Sequence, residues 1–291
     1  MVTKKIIQNE IDNLVGLSNM VLAYEEIAAS RIRNSRSFVL SNRAYMSEIR
    51  EIFEEVISSY KRELEVIIKA KKRKEMKEFS FLNRNGKTLY LLISANTGLY
   101  GGLIKKTFDL FVENSKNTSA DKAVIGKLGL AMWQGERIKD KYYYFDFPDQ
   151  RVDSAQLKNI LNFIISYEKV IVFYGQFRNL IKQEATFSDI SGSFNTEKSQ
   201  TDKKIKYFFE PSIPKILEFF EKQIFSSIFE QTMRESQLAK IASRLTTLDK
   251  ASENIEKELL KATSIRSRSI HHEQNKKQLQ TFSSRLLWGK F

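Results

Sequence analysis

Between Lys215 and Trp288 the chain runs for 74 residues without a proline or a glycine. Within that run Leu238, Ile241, Leu245, Leu248, Ile255, Leu259 and Ala262 recur at alternating steps of three and four, with Ser252 in the skipped place. This is a heptad seam, the pattern of a helix that buries one narrow face against another helix. At about 1.5 Å per residue, a continuous helix of this length reaches roughly 110 Å. No ordinary globular core is that deep, so much of the helix needs a partner helix or another chain. Taken alone, the segment also reads as a plain coiled-coil stalk.

The chain opens with a second run of the same kind. From Thr3 to about Lys72 there is no proline and one glycine, Gly16. Ile7, Ile11, Leu14, Val21, Ala28, Ile32 and Val39 keep heptad-compatible spacing, interrupted by Ser18, Glu25 and Ser35, and Tyr45, Ile49, Phe53, Val56, Tyr60, Leu64 and Ile67 continue an apolar face. Two long amphipathic helices at the two ends of one chain are most economically satisfied by lying antiparallel on each other. Separate dimerisation of each helix is the other arrangement the pattern allows.

The middle has a different texture. Thr88–Ser94 is a short apolar run read as a buried strand, Gly98–Gly102 a turn, and the residues to about Glu113 a helix. Ala123–Gly126 reads as another strand. Asp153 is placed to cap a helix to about Ser166, and Lys169–Tyr174 is the clearest strand. The Ser-, Thr-, Asn- and Lys-rich stretch 193–206 reads as a mobile loop before a strand at Lys206–Phe209. The expected fold class is therefore α/β with a long coiled coil: antiparallel terminal helices plus a small Rossmann-like α/β domain. The expected divisions are residues 1–75 for the first shaft helix, 76–210 for the α/β domain and 211–291 for the second shaft helix.

Composition excludes several chemistries. There is no cysteine, which removes disulfides, thiolate metal sites and thiol catalysis. Lys plus Arg number 48 against 35 acidic residues, a net charge of +13 that suits nucleic acid, an anionic membrane surface or an acidic protein partner. No run is long and apolar enough to span a bilayer, and the first residues lack the apolar core of a signal peptide, so a cytoplasmic location is expected. Gly86-Lys87-Thr88 has the ending of a phosphate-binding loop, but Phe81 stands where the upstream glycine belongs and a strand, not a helix, follows. His271 and His272, the only histidines, diverge by about 100° on a helix and do not converge on one metal. No Ser/His/Asp or paired-carboxylate arrangement can be singled out. No catalytic, cofactor-binding or metal-binding residue is expected in this chain.

A series of short motifs carries a family resemblance. They are Ala28-Ala29-Ser30-Arg31-Ile32-Arg33, Ser94-Ala95-Asn96-Thr97-Gly98-Leu99-Tyr100-Gly101-Gly102, Gly126-Lys127-Leu128-Gly129, Val172-Phe173-Tyr174-Gly175-Gln176-Phe177, Glu210-Pro211-Ser212, Glu235–Lys240 and Arg266-Ser267-Arg268-Ser269-Ile270-His271-His272-Glu273. In this order, between two long helices, they resemble the γ subunit of F-type ATP synthases and F1-like ATPases. The resemblance spans essentially the whole chain. It implies a central rotor shaft inside a ring of three α-like and three β-like subunits, one copy per ring, with catalysis on the β-like subunits. It further implies contacts of the α/β domain with an ε-like subunit and a membrane rotor, at the inner face of the membrane. It makes Arg266, Arg268, His271, Glu273, Glu25 and Glu26 candidate ring contacts, and Phe282, Leu286, Leu287 and Trp288 a candidate apical bearing.

The departures are specific. Where the family carries Met-Lys-Met, this chain has Tyr24-Glu25-Glu26, a reversal of charge. The family's Arg-Gln pair becomes Arg266-Ser267, and its small-residue tip falls at Lys276-Lys277-Gln278. These features read as a divergent copy whose output need not be ion-coupled synthesis. A basic coiled-coil nucleic-acid-binding protein and a stand-alone scaffold are the readings from other classes. The first is disfavoured because the basic residues are spread along both helices and not gathered with aromatics in one patch.

Overall fold

The computed structural model describes residues 4–59, 84–116, 118–136, 141–149, 152–191 and 213–288. Two of its helices dwarf the rest: α1, Lys4–Ser59, and α5, Ile213–Trp288, of 56 and 76 residues. Pro214 sits in the first turn of α5, where an intrahelical N–H is not required. Between them come β1 (Thr88–Ile93), α2 (Leu103–Ser115), β2 (Asp121–Ile125), α3 (Lys127–Gly135), β3 (Tyr142–Phe145), α4 (Ser154–Ile164), β4 (Lys169–Phe177) and β5 (Gln183–Asp189). The described residues fall into two units, one from Met1–Ser30 with Leu245–Phe291, the other Arg31–Arg244.

The first unit is a helix pair. Ile7 and Ile11 of α1 are buried with Ala262 of α5, Leu14 meets Leu259, and Val21 is buried with Leu248 and Ile255. Contacts that ascend α1 while descending α5 make the pair antiparallel, as expected from the two stripes. Ala28 is buried too. The C-terminal heptad stripe is divided, however. Leu248 to Ala262 serve the helix pair, whereas Leu238 and Ile241 belong to the other unit.

The second unit is built on a five-stranded sheet of order β3-β2-β1-β4-β5. The first four of these strands run parallel and β5 returns antiparallel to β4. Side chains alternate across β1. Leu89, Leu91 and Ile93 join Leu157, Ile160 and Ile164 of α4 and Phe225, Phe229 and Met233 of α5 on one face. Leu92 joins Phe108, Phe111 and Val112 of α2 and Trp133 of α3 on the other. Burial on both faces explains why β1 and β4 read as unbroken apolar runs. The Asp153 carboxylate accepts from the N–H groups of Ala155 and Gln156, the expected N-cap. β3, β5 and α3 were not foreseen. The loop 193–206, the strand at Lys206–Phe209, Phe81 and the segment 60–83 lie outside the described residues.

The sheet buries an ionisable group with a measurable consequence. Burial, reinforced by the charge of Glu235, pushes the Tyr174 phenol from its ordinary value near 10 up to about 12, against a smaller lowering by Arg178. A raised phenol contributes stability that is complete below the unfolded value and lost as pH climbs through the folded one. Stability should therefore fall between about pH 10 and pH 12. In denaturant titrations the Tyr174→Phe chain should show a shallower decline over that window, and an unchanged slope would disprove the assignment.

Candidate functional site

Ligands of parallel α/β sheets sit outside the carboxyl ends of the strands, where the strand order reverses. Here the chain moves outward from β1 to β2 and β3, then returns through α4 to β4 on the other side of β1, so the reversal falls between β1 and β4. On the β1 side of this reversal the strand end is covered by α5. One stripe of that helix, Glu221, Phe225, Phe229, Met233, Gln237, Lys240 and Arg244, advances by four, four, four, four, three and four residues. Its middle is apolar where it lies on the flat face of the sheet. It turns polar where strand ends expose carbonyl groups.

At the carboxyl ends of the strands, Lys240 Nζ donates to the Ser94 carbonyl at 2.9 Å and lies 3.4 Å from Asp149 Oδ1. The two side chains are 7% and 6% exposed. Burial pushes the Lys240 ammonium below its ordinary value, and the Asp149 charge opposes that shift. Asp149 is itself held by the turn: its Oδ2 accepts from the N–H groups of Asn96 and Thr97 and from Thr97 Oγ1, at 2.9, 2.8 and 2.9 Å. Gln237 donates to the Pro148 carbonyl and Ser243 to that of Tyr100. The Arg244 guanidinium stacks 4.3 Å above the Tyr100 ring and donates to Thr97 Oγ1 and the Gly98 carbonyl.

The turn so gripped is the Ser94–Gly102 motif. Leu99 takes a positive φ of 67°, unusual for a leucine, and is 60% exposed. Such a conformation persists only where neighbouring contacts over-determine it. The Gly126–Gly129 motif supports the same turn from beneath. A Cβ on Gly126, whose φ is 97°, would come within 2.8 Å of the Ala95 nitrogen, and one on Gly129 within 2.7 Å of the Ser94 Cβ. Leu128 N–H can therefore reach the Ala95 carbonyl at 2.8 Å.

A second pair fastens the other end of the stripe. Arg84 Nη2 meets Glu221 Oε1 at 2.8 Å, with side chains 5% and 3% exposed. Arg84 also donates to the carbonyls of Glu168, just before β4, and Ser191, just after β5. Gly86-Lys87-Thr88 lies at this amino end, and β1 begins at Thr88, so a strand follows the lysine.

The ring-contact and bearing candidates named by the family motifs are spread along the helix pair. Glu25 is half-buried, one carboxylate oxygen is shielded from solvent without a hydrogen-bond partner, and burial followed by the nearby Asp249 charge raises its pKa. Glu26 is exposed. Arg266 is half-buried, while Arg268, His271 and Glu273 are exposed, and Glu273 pairs with Lys277 at 3.4 Å. Phe282 is 65% exposed, and the side chains of Leu286, Leu287 and Trp288 lie outside the described residues. Glu25 and Arg266 thus serve different stretches of the pair, since Asp249 and Arg266 are 17 residues apart on α5. Sequence reading missed Lys240, Asp149, Arg84 and Glu221. Only the lysine's place inside the Glu235–Lys240 motif hinted at it.

Comparisons place these features in a known group. A family model described as ATP synthase matches residues 3–270. The ATP synthase gamma chain of Mesoplasma florum is 27% identical over 254 residues, covering 85% of each chain. That of Mycoplasma mycoides subsp. mycoides is 26% identical, covering 86% of each. The fold is similar to a chain of the Euglena gracilis mitochondrial ATP synthase, at TM-score 0.52 and 14% identity over 89% of this chain and 95% of that one. It is likewise similar to a chain of the Tetrahymena thermophila mitochondrial central stalk and c-ring, at TM-score 0.52 and 18% identity over 80% and 99%.

Breaking a buried ion pair by removing one partner typically costs about 3–5 kcal/mol, because a charge is left uncompensated. Lys240→Met should therefore lower the unfolding free energy by about 3 kcal/mol or more, and adding Asp149→Asn should return part of that loss. Denaturant unfolding of the four chains measures both effects. A loss near zero for Lys240→Met would show that the pair does not anchor the helix.

Proposed function

The chain belongs to the ATP synthase family as a gamma-type, non-catalytic central-stalk subunit, and on that premise we propose that it turns inside a ring of three α-like and three β-like subunits. The β-like subunits would hold the catalytic sites. The observation that carries this reading is the helix pair of α1 and α5. Its inner stripe is already satisfied, yet Ile6, Val15, Leu17, Met20, Leu22 and Ile27 of α1 are each between 45% and 58% exposed. Fully burying such a side chain from water is worth roughly 1.5–3 kcal/mol, of which about half remains for these half-exposed residues, so a sleeve around the pair is favoured. A net charge of +13 suits an acidic segment on that sleeve.

In this reading Arg266, Arg268, His271, Glu273, Glu25 and Glu26 face the ring, and Phe282, Leu286, Leu287 and Trp288 form its apical bearing. The α/β domain engages an ε-like subunit and a membrane rotor at the inner face of the membrane. No described helix is long and apolar enough to cross a membrane. The reversed charge at Glu25 and Glu26 favours a divergent F1-like ATPase. Family membership displaces the nucleic-acid and scaffold readings.

Two experiments bear on this. With no native cysteine, Leu287→Cys supplies a lone thiol. In the assembled complex it should crosslink to a thiol placed on an α-like subunit, and free reaction with bulky reagents would put the tip outside the ring. Replacing Arg266 and Arg268 together by Ala should lower ATP turnover of the complex while leaving the helices folded, because arginine makes bidentate bonds to carboxylates. Normal turnover with normal assembly would remove both residues from the contact.

A further inference from the structure

The stripe of α5 that crosses the sheet is fixed by a buried ion pair at each end, Arg84–Glu221 and Lys240–Asp149. Glu221 and Lys240 are 19 residues apart, which for an ideal helix is roughly 28 Å along the axis and about 100° around it. Two pins separated both along and around a cylinder resist what one pin cannot. A single contact lets the helix pivot about itself. The apolar contacts of Phe225, Phe229 and Met233 between the pins are less directional than an ion pair and hold the rotational setting less sharply.

Each pin is also anchored to main chain, not to mobile side chains alone. Arg84 binds the Glu168 and Ser191 carbonyls beside β4 and β5. Lys240 binds the Ser94 carbonyl at the end of β1, and Asp149 takes two N–H groups of the following turn. Load on the helix therefore passes into the sheet itself. Arg244, stacked on Tyr100 and bonded to Thr97 and Gly98, extends the second pin by one helical turn.

Resting on the rotor reading above, we propose that the pairs Arg84–Glu221 and Lys240–Asp149 form a two-point key that transmits torque between α5 and the sheet. Rotation about the helix axis shears both pairs, and neither can slip without leaving a charge buried and unpaired. The key makes these four residues positioning residues for rotation and gives them no part in chemistry.

The test uses the complex assembled from this chain and its α- and β-like partners. The ring is fixed to a surface, and a bead is attached through a biotin-acceptor peptide inserted between Leu180 and Ile181, in the exposed β4–β5 turn. The measured quantity is the ratio of loaded to unloaded rotation speed. Lys240→Met and Glu221→Gln should each lower that ratio by about twofold or more, and the double variant further, because each leaves a buried charge unpaired. Lys240→Arg, which keeps the cation, should retain it. Cysteines at Thr97 and Arg244, whose native side chains are hydrogen-bonded to each other, can then be joined by a short bis-maleimide that spans the reach lost with the arginine. In the Lys240→Met background this covalent key should restore the ratio, whereas a variant destabilised to the same extent in denaturant unfolding by a core substitution away from both pairs should keep the wild-type ratio.

A wild-type ratio in the double variant, or a loss that the crosslink does not repair, overturns the key. Where the double variant does not assemble, the two single variants and the crosslink decide. Failure of the unmodified chain to join any ATPase ring is a separate result. It overturns the rotor reading, and the key with it.

Discussion

A parallel sheet ends in a row of carbonyl groups and helix N-termini that something polar must satisfy. In enzymes of this architecture a ligand does so. Here the chain's own last helix supplies Gln237, Lys240, Ser243 and Arg244 to that edge, and their donors reach Pro148, Ser94, Tyr100 and Gly98. Much else follows from this one substitution. The glycines at 126 and 129 exist so that α3 can approach the Ser94 turn. Asp149 balances the lysine, and Leu99 holds a left-handed backbone because the turn around it cannot relax. A domain with the outline of a nucleotide-binding fold thereby becomes a seat for a helix.

How much of this was legible depended on whether the signal was local. The two long helices showed in the heptad spacing, because a helical stripe repeats within a few residues whatever lies opposite it. β1 and β4 showed because burial on both faces leaves an unbroken apolar run. β3 hid because Tyr142-Tyr143-Tyr144-Phe145 is half-exposed and lies at the sheet edge, and β5 hid because Gln183–Asp189 has hardly a buried side chain to betray it. α3 was lost to Gly129 and to Gly126 just before it, since glycine normally weakens a helix and here allows close approach to the Ser94 turn and to Val124 of β2.

The candidate site was the least legible part. Lys240 and Asp149 are separated by 91 residues, and Arg84 and Glu221 by 137. Nothing in either local sequence separates these four from the many charged residues along a basic chain. Even the heptad stripe misled in part. Leu238 and Ile241 continue the seam numerically, but they lie in the unit of the sheet, while Leu248, Ile255, Leu259 and Ala262 pair with α1. A helix turning at 3.6 residues presents the same stripe to whatever neighbour it meets, so period alone cannot mark where one partner yields to another.

The choice of ion pairs at the ends of the α5 stripe has a physical logic that burial alone does not supply. Well-fitted apolar residues in place of a buried pair are often as stable or more so. Stability is therefore a weak reason to place Lys240 and Glu221 where leucines would serve. What an apolar contact has less of is direction, since the hydrophobic effect itself is non-directional and only the fit of the side chains resists rotation. A charged group that has left water must meet its partner within hydrogen-bond distance or remain uncompensated. Arg84–Glu221 at 2.8 Å and Lys240 on Ser94 at 2.9 Å meet that condition in one setting of the helix. In the rotor reading proposed above, angular position is the quantity to be conserved, and the two buried pairs add a directional constraint to the apolar packing around them.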